Sequence, residues 1–118
     1  MRQFMFSLLV LCLSACSIAV PDIPSVPTRP TYDHDVHPYI ADHCLVCHSS
    51  PSDHGAPSYF RLDIYDDSGN VSGAGSMAPS MRDDAVYSNP HQMPPGGGLG
   101  PNGKQMLVNW VTTGAPQN

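Results

Sequence analysis

The chain has 118 residues, a formal net charge of −5, 4 Cys, 13 Pro and 10 Gly. That length allows one small domain. Its ten acidic residues, all Asp, outnumber five basic ones. This excess speaks against nucleic acid as a partner. It suits either simple solubility or a partner that docks through a basic patch.

Met1-Arg2-Gln3 and the apolar run to Leu13 read as a signal peptide, residues 1–15. One positive charge precedes a stretch too short to span a bilayer comfortably. The run ends in Leu13-Ser14-Ala15-Cys16, which resembles a bacterial lipobox. That resemblance implies cleavage before Cys16 and lipidation of its thiol. The competing readings are an ordinary signal peptide with a coincidental cysteine, or an uncleaved anchor. Cys12 and Arg2 leave with the signal, so the mature chain keeps Cys16, Cys44 and Cys47, and four basic residues face ten Asp for a net −6. More than one acyl chain gives stable attachment to a lipid bilayer. The expected location is the periplasmic side of a bacterial envelope. Ser17 after the lipidated residue is compatible with the outer membrane.

Residues 16–31 are expected to form a lipidated, Pro-rich tether. Pro21, Pro24, Pro27 and Pro30 recur every third residue, which suits a polyproline II strand. At ~3.1 Å per residue, residues 17–30 would reach roughly 40 Å. It has no apolar period, so no core contribution is expected.

A domain follows over residues 32–118. A helix is expected from Asp33 or Asp35, either of which can cap it, through Pro38 in its first turn to the cysteine pair. Val36, Ile40, Cys44 and Cys47 share one face of such a helix. Residues 49–60 read as loop. Residues 61–65 read as a short ordered segment, 66–80 as irregular Gly/Ser-rich chain, and 83–87 as a short helix. The last helix begins near Pro101 and carries the stripe Met106, Leu107, Trp110 and Val111. Gly114 and Pro116 stop it. Trp110 is expected in the core, with its N–H in need of a partner.

Cys44-Leu45-Val46-Cys47-His48 is a C-x-x-C-H motif, the attachment signature of haem c. Two thiols add across two vinyl groups and the adjacent histidine supplies an axial nitrogen. On a helix the three side chains share one face. The competing readings are thiol redox, which needs a βαβ context not visible here, and zinc, which needs a fourth ligand. His34, His37, His43 or His54 could supply that ligand, or build a second metal site. A Cys44–Cys47 disulfide would close too small a loop to stabilise much. A covalent haem would also supply the apolar surface that a core of roughly 85 residues lacks, so the chain without it is expected to fold poorly.

The second axial position needs a residue from elsewhere. Met93, in His91-Gln92-Met93-Pro94-Pro95-Gly96-Gly97-Gly98, is the first candidate. The prolines fix the loop and the glycines let backbone approach a ring closely. Met81, Met77 and His91 are the alternatives, and Met106 belongs to the last helix. A thioether ligand raises the reduction potential relative to a second histidine.

The motif at Cys44–His48, the Met93-Pro94-Pro95-Gly96 loop and the closing Leu107–Pro116 together resemble small monohaem class I cytochromes c. Asp35-Val36-His37-Pro38 and Arg61-Leu62-Asp63 are similar to the domain of planctomycete-type cytochromes. The resemblance covers roughly residues 32–116 and is weakest over 66–92. It implies an all-α, cytochrome c-like fold, three or more short helices with long loops around haem, and His48 and Met93 as axial ligands. The expected role is a membrane-anchored one-electron carrier, not an enzyme, that serves redox partner proteins. An open sixth site would instead suit a gas sensor or a peroxidase-like enzyme. A zinc or thiol-redox lipoprotein, or haem as a mere staple of the fold, are the remaining alternatives.

Overall fold

The computed structural model describes residues 21–118. The signal peptide, Cys16 and residues 16–20 of the tether lie outside the described residues. Among the described residues the chain is mostly helical, with α1 (His37–Ala41), α2 (Ala74–Tyr87) and α3 (Pro101–Thr112) and no strand. Phe60 and Ser72, and Ser68 and Val71, meet only as isolated bridges.

The first helical segment opens as a π turn over Tyr32–Val36 and continues into α1. Asp35 caps it backwards, its Oδ2 accepting the Thr31 N–H at 2.8 Å. Pro38 lies in the first turn of α1, where no N–H is needed. The expected helix does not run on to the cysteines. The carbonyl of Ile40 collects the N–H groups of His43, Cys44 and Leu45 at 3.1, 2.8 and 3.2 Å. Hydrogen bonding stops stepping along the chain there, and the motif continues as turns.

α2 corrects the expectation of irregular chain over 66–80. Its buried residues are Ala74, Ala78, Met81 and Ala85, spaced four, three and four as a helical stripe requires. Small residues make that stripe, and Gly75, Ser76 and Pro79 interrupt it. Asp67 caps its start, its Oδ1 accepting from the Gly73 N–H at 2.8 Å and the Ser76 hydroxyl at 2.6 Å. The short helix expected over 83–87 is the last stretch of α2.

α3 forms as its sequence requires, from Pro101 at the first position to Gly114 at φ 91° beyond its end. Met106, Leu107 and Trp110 are fully buried. Trp110 Nε1–H donates to the Pro116 carbonyl at 3.0 Å. The indole stacks on Tyr32 at a centroid distance of 6.2 Å. Tyr32 is the hub of the core. Its hydroxyl donates to the Leu62 carbonyl at 2.6 Å and its N–H to the Pro116 carbonyl at 2.9 Å. Burial first, then Asp63 and Asp33, push that phenol up to about 12.

The Pro-rich segment is not a free tether over its described part. Both oxygens of Asp22 cap α3, accepting the N–H groups of Asn102 and Gly103 at 2.8 Å each. Asn102 Nδ2 donates to the Ile23 carbonyl and Asn109 Nδ2 to the Pro27 carbonyl, both at 2.9 Å. Pro30 is fully buried and Ile23 packs on the core. Carbonyls that a polyproline strand leaves free are thus claimed by α3. No apolar period is needed for such docking, so the sequence carries no sign of it.

Candidate cofactor site

The turns after α1 hold the C-x-x-C-H residues through main-chain bonds. Cys47 N–H and His48 N–H donate to the Cys44 carbonyl at 3.2 and 2.9 Å. The His48 carbonyl receives the Leu62 N–H at 2.8 Å, so the Arg61-Leu62-Asp63 turn braces the motif from behind. Arg61 and Asp63 close that turn through a bidentate pair. Phe60 sits against the His48 ring with centroids 4.9 Å apart.

These residues form one wall of a cavity of about 570 Å³, within the usual ~300–1,000 Å³ of cofactor pockets. Cys44, Cys47 and His48 line it from one side. Met77 and Met81 from α2, and His91 and Met93 from the following loop, line it too. Phe60, Leu62, Ala85 and Pro57 add apolar surface. All four candidates for the second axial position therefore share one cavity with the motif. Met106 lies outside it, in the core.

Cys44 and Cys47 are free thiols. Burial, then the neighbouring Cys47, push the Cys44 thiol up to about 12. His48 Nδ1 is buried with no hydrogen-bond partner. Burial pushes this imidazole below its ordinary value, while the Phe60 carbonyl and Asp84 act in the opposite sense. His54 Nδ1 lies 3.6 Å from Cys47 Sγ at the exposed rim.

The glycines after Met93 meet a need of the backbone itself. Gly96, Gly97 and Gly98 take φ of 86°, 80° and 118°, a left-handed path open to glycine. A Cβ on Gly96 or Gly98 would meet no protein atom within 4 Å, and one on Gly97 would press on Gln92 Nε2 at 2.9 Å.

The other histidines scatter. His37 packs on Tyr32, His34 faces a second cavity of about 430 Å³, and His43 lines both cavities. Among the described residues no three His, Cys, Asp or Glu side chains gather closely enough to hold a metal ion. No helix among them is long and apolar enough to cross a membrane. The sequence reading missed the parts played by Phe60, Leu62 and Asp84. They meet the motif only through the fold, and no spacing announces them.

Comparison with known proteins returns no match: no family model, no curated protein and no solved structure is significantly similar to the chain.

Proposed function

We propose that this protein is a lipid-anchored, one-electron carrier of the bacterial envelope. On this reading it has a cytochrome c-like fold that holds one haem c through Cys44 and Cys47, with His48 and Met93 as axial ligands. The observation that carries the reading is the shared cavity. Two free thiols and a histidine in attachment order line it together with thioethers from distant parts of the chain. When bound, the group supplies a one-electron ferric–ferrous couple.

The residues fit that group in three ways. The cavity is mainly apolar, which suits a flat macrocycle. The His48 imidazole is partly buried, with an Nδ1 that no residue claims. Its depressed basicity keeps the ring neutral, as an iron ligand must be. The Cys44 thiol, pushed up to about 12, is a poor nucleophile at neutral pH. That argues against thiol exchange through Cys44, the rival reading of the pair. Met93 in the second axial position would raise the potential and exclude substrate from the iron. The apolar N-terminal run ending at Cys16 supports attachment to the bilayer.

The test is an optical spectrum of protein matured with a c-haem assembly system, oxidised and reduced, beside Met93→Ala. The expected result is a covalent haem spectrum with a methionine-to-iron charge-transfer band that Met93→Ala abolishes. Haem without that band would favour a histidine-ligated or open site, and with it a sensor or peroxidase. No covalent haem would return Cys44 and Cys47 to zinc or thiol chemistry.

A further inference from the structure

The loop that carries Met93 is tied to the end of α2, at its root by the Asp83 carbonyl, which receives the Asn89 N–H at 3.1 Å, and further along by Asp84. The main-chain carbonyl of Asp84 receives the N–H groups of Ser88 at 3.2 Å and Met93 at 3.3 Å. Its carboxylate receives the His91 N–H on Oδ1 at 3.2 Å, and Oδ2 lies 3.7 Å from His91 Nδ1. Ser88 turns left-handed at φ 53°, which sends the chain back along α2. The Asp84 side chain is only 15% exposed and lines the cavity with Met93. Met77 and Met81 need no such tie, because α2 itself fixes them.

We propose that Asp84 is the positioning residue that holds Met93 at the cavity. The inference rests on the reading of Met93 as the second axial ligand. A ligand on a loop binds only after the loop is ordered, at an entropic cost. Main-chain bonds to the carbonyl and carboxylate of Asp84 order residues 88–93 in advance. Side-chain substitution removes only the carboxylate's share. Asp84→Asn keeps an oxygen that accepts from the His91 N–H. Asp84→Ala keeps none.

The experiment uses holoprotein and imidazole, which competes with a methionine for the iron. Asp84→Ala is expected to bind imidazole about fivefold more tightly than wild type, the worth of one hydrogen bond, with a weaker charge-transfer band. Asp84→Asn is expected to restore wild-type affinity. Asp83→Ala, which deletes an adjacent charge without touching the His91 tie, is expected to change affinity little.

If Asp84→Ala matches wild type in band and affinity while Met93→Ala lacks the band, the positioning role is overturned and the ligand assignment stands. If Met93→Ala keeps the band, both fall. Should Asp84→Ala fail to mature, amide exchange in wild-type holoprotein decides. The His91 and Met93 amides are expected to exchange more slowly than that of Gln92. Equal exchange overturns the proposal.

Discussion

The two sides of this small domain are held together differently. Around α3, the segment from Asp22 to Pro30 and the C-terminal residues answer the helix's polar groups one by one. Both oxygens of Asp22 cap its start, Asn109 reaches the Pro27 carbonyl, and Trp110 reaches the Pro116 carbonyl. Around the cavity, the His48 and His43 rings each bury a nitrogen with no hydrogen-bond partner, and on the packed side the Tyr39 hydroxyl and Thr31 Oγ1 are left in the same state. Burial pushes His43 below its ordinary value, against the pull of Asp42 and Asp22. The packed side is thus closed by hydrogen bonds within the chain, whereas the cavity side keeps a space of about 570 Å³ that the proposed haem would fill.

The largest expected effect follows from that division. Cys44→Ala with Cys47→Ala, matured alongside wild type, is expected to lose covalent haem and to melt about 20 °C lower, since the attached macrocycle buries its apolar surface in the cavity only when the chain is folded. Near-ultraviolet circular dichroism of the Trp110 region and thermal melting read both sides at once. Equal melting of the two proteins would mean that the cavity wall stands without the proposed haem, and the division would be wrong.

A substitution on the packed side should act in the opposite pattern. Gly103 is buried in α3 with the Tyr39 phenol against it, where a Cβ would collide. Gly103→Ala gains about 1 kcal/mol of helix propensity. Overpacking is expected to outweigh it, for a net loss of about 1–2 kcal/mol in denaturant melts. The haem spectrum should stay as in wild type. A stabilised variant would show that Tyr39 can move aside, and that the packed side is looser than its contacts imply.

The same contrast governs how much the sequence disclosed. α3 is legible because large apolar residues, a proline at its start and a glycine at its end all agree. The C-x-x-C-H motif is legible because its chemistry demands that spacing. α2 is not, because its buried stripe is mostly alanine and its first half holds Gly75, Ser76 and Pro79, residues that read as loop. The docking of residues 22–30 is not either, because it rests on main-chain carbonyls and one carboxylate about 80 positions from its partners. Phe60 and Asp84 reach the site through tertiary packing alone. Local pattern thus discloses elements that are self-sufficient, and conceals those whose stability comes from elsewhere in the chain.

The smallest expected effect sharpens the comparison by pH. Burial raises the Asp22 carboxyl, but the amides of Asn102, Gly103 and Ile23 outweigh it and hold the group below its ordinary 3.8. Asp63, held down chiefly by Arg61, and Asp67, held down chiefly by the Ser76 hydroxyl and then the Gly73 amide, shift the same way. A depressed folded value means that stability is fully present above the unfolded value and is lost as pH falls through the folded one. Through Asp22 the packed side should therefore be insensitive to pH above about 4 and weaken below it, and Asp63 and Asp67 give the supports of the cavity wall the same dependence. Asp22→Asn offers one oxygen where the carboxylate offers two, so it can answer Asn102 or Gly103 but not both in the same way. Its melting temperature is expected to fall below wild type at neutral pH and to converge with it in strong acid. Parallel melting curves for the two proteins across that range would mean that the charge on Asp22 contributes nothing to holding the segment on α3, and that packing of Ile23 and Pro30 does so alone.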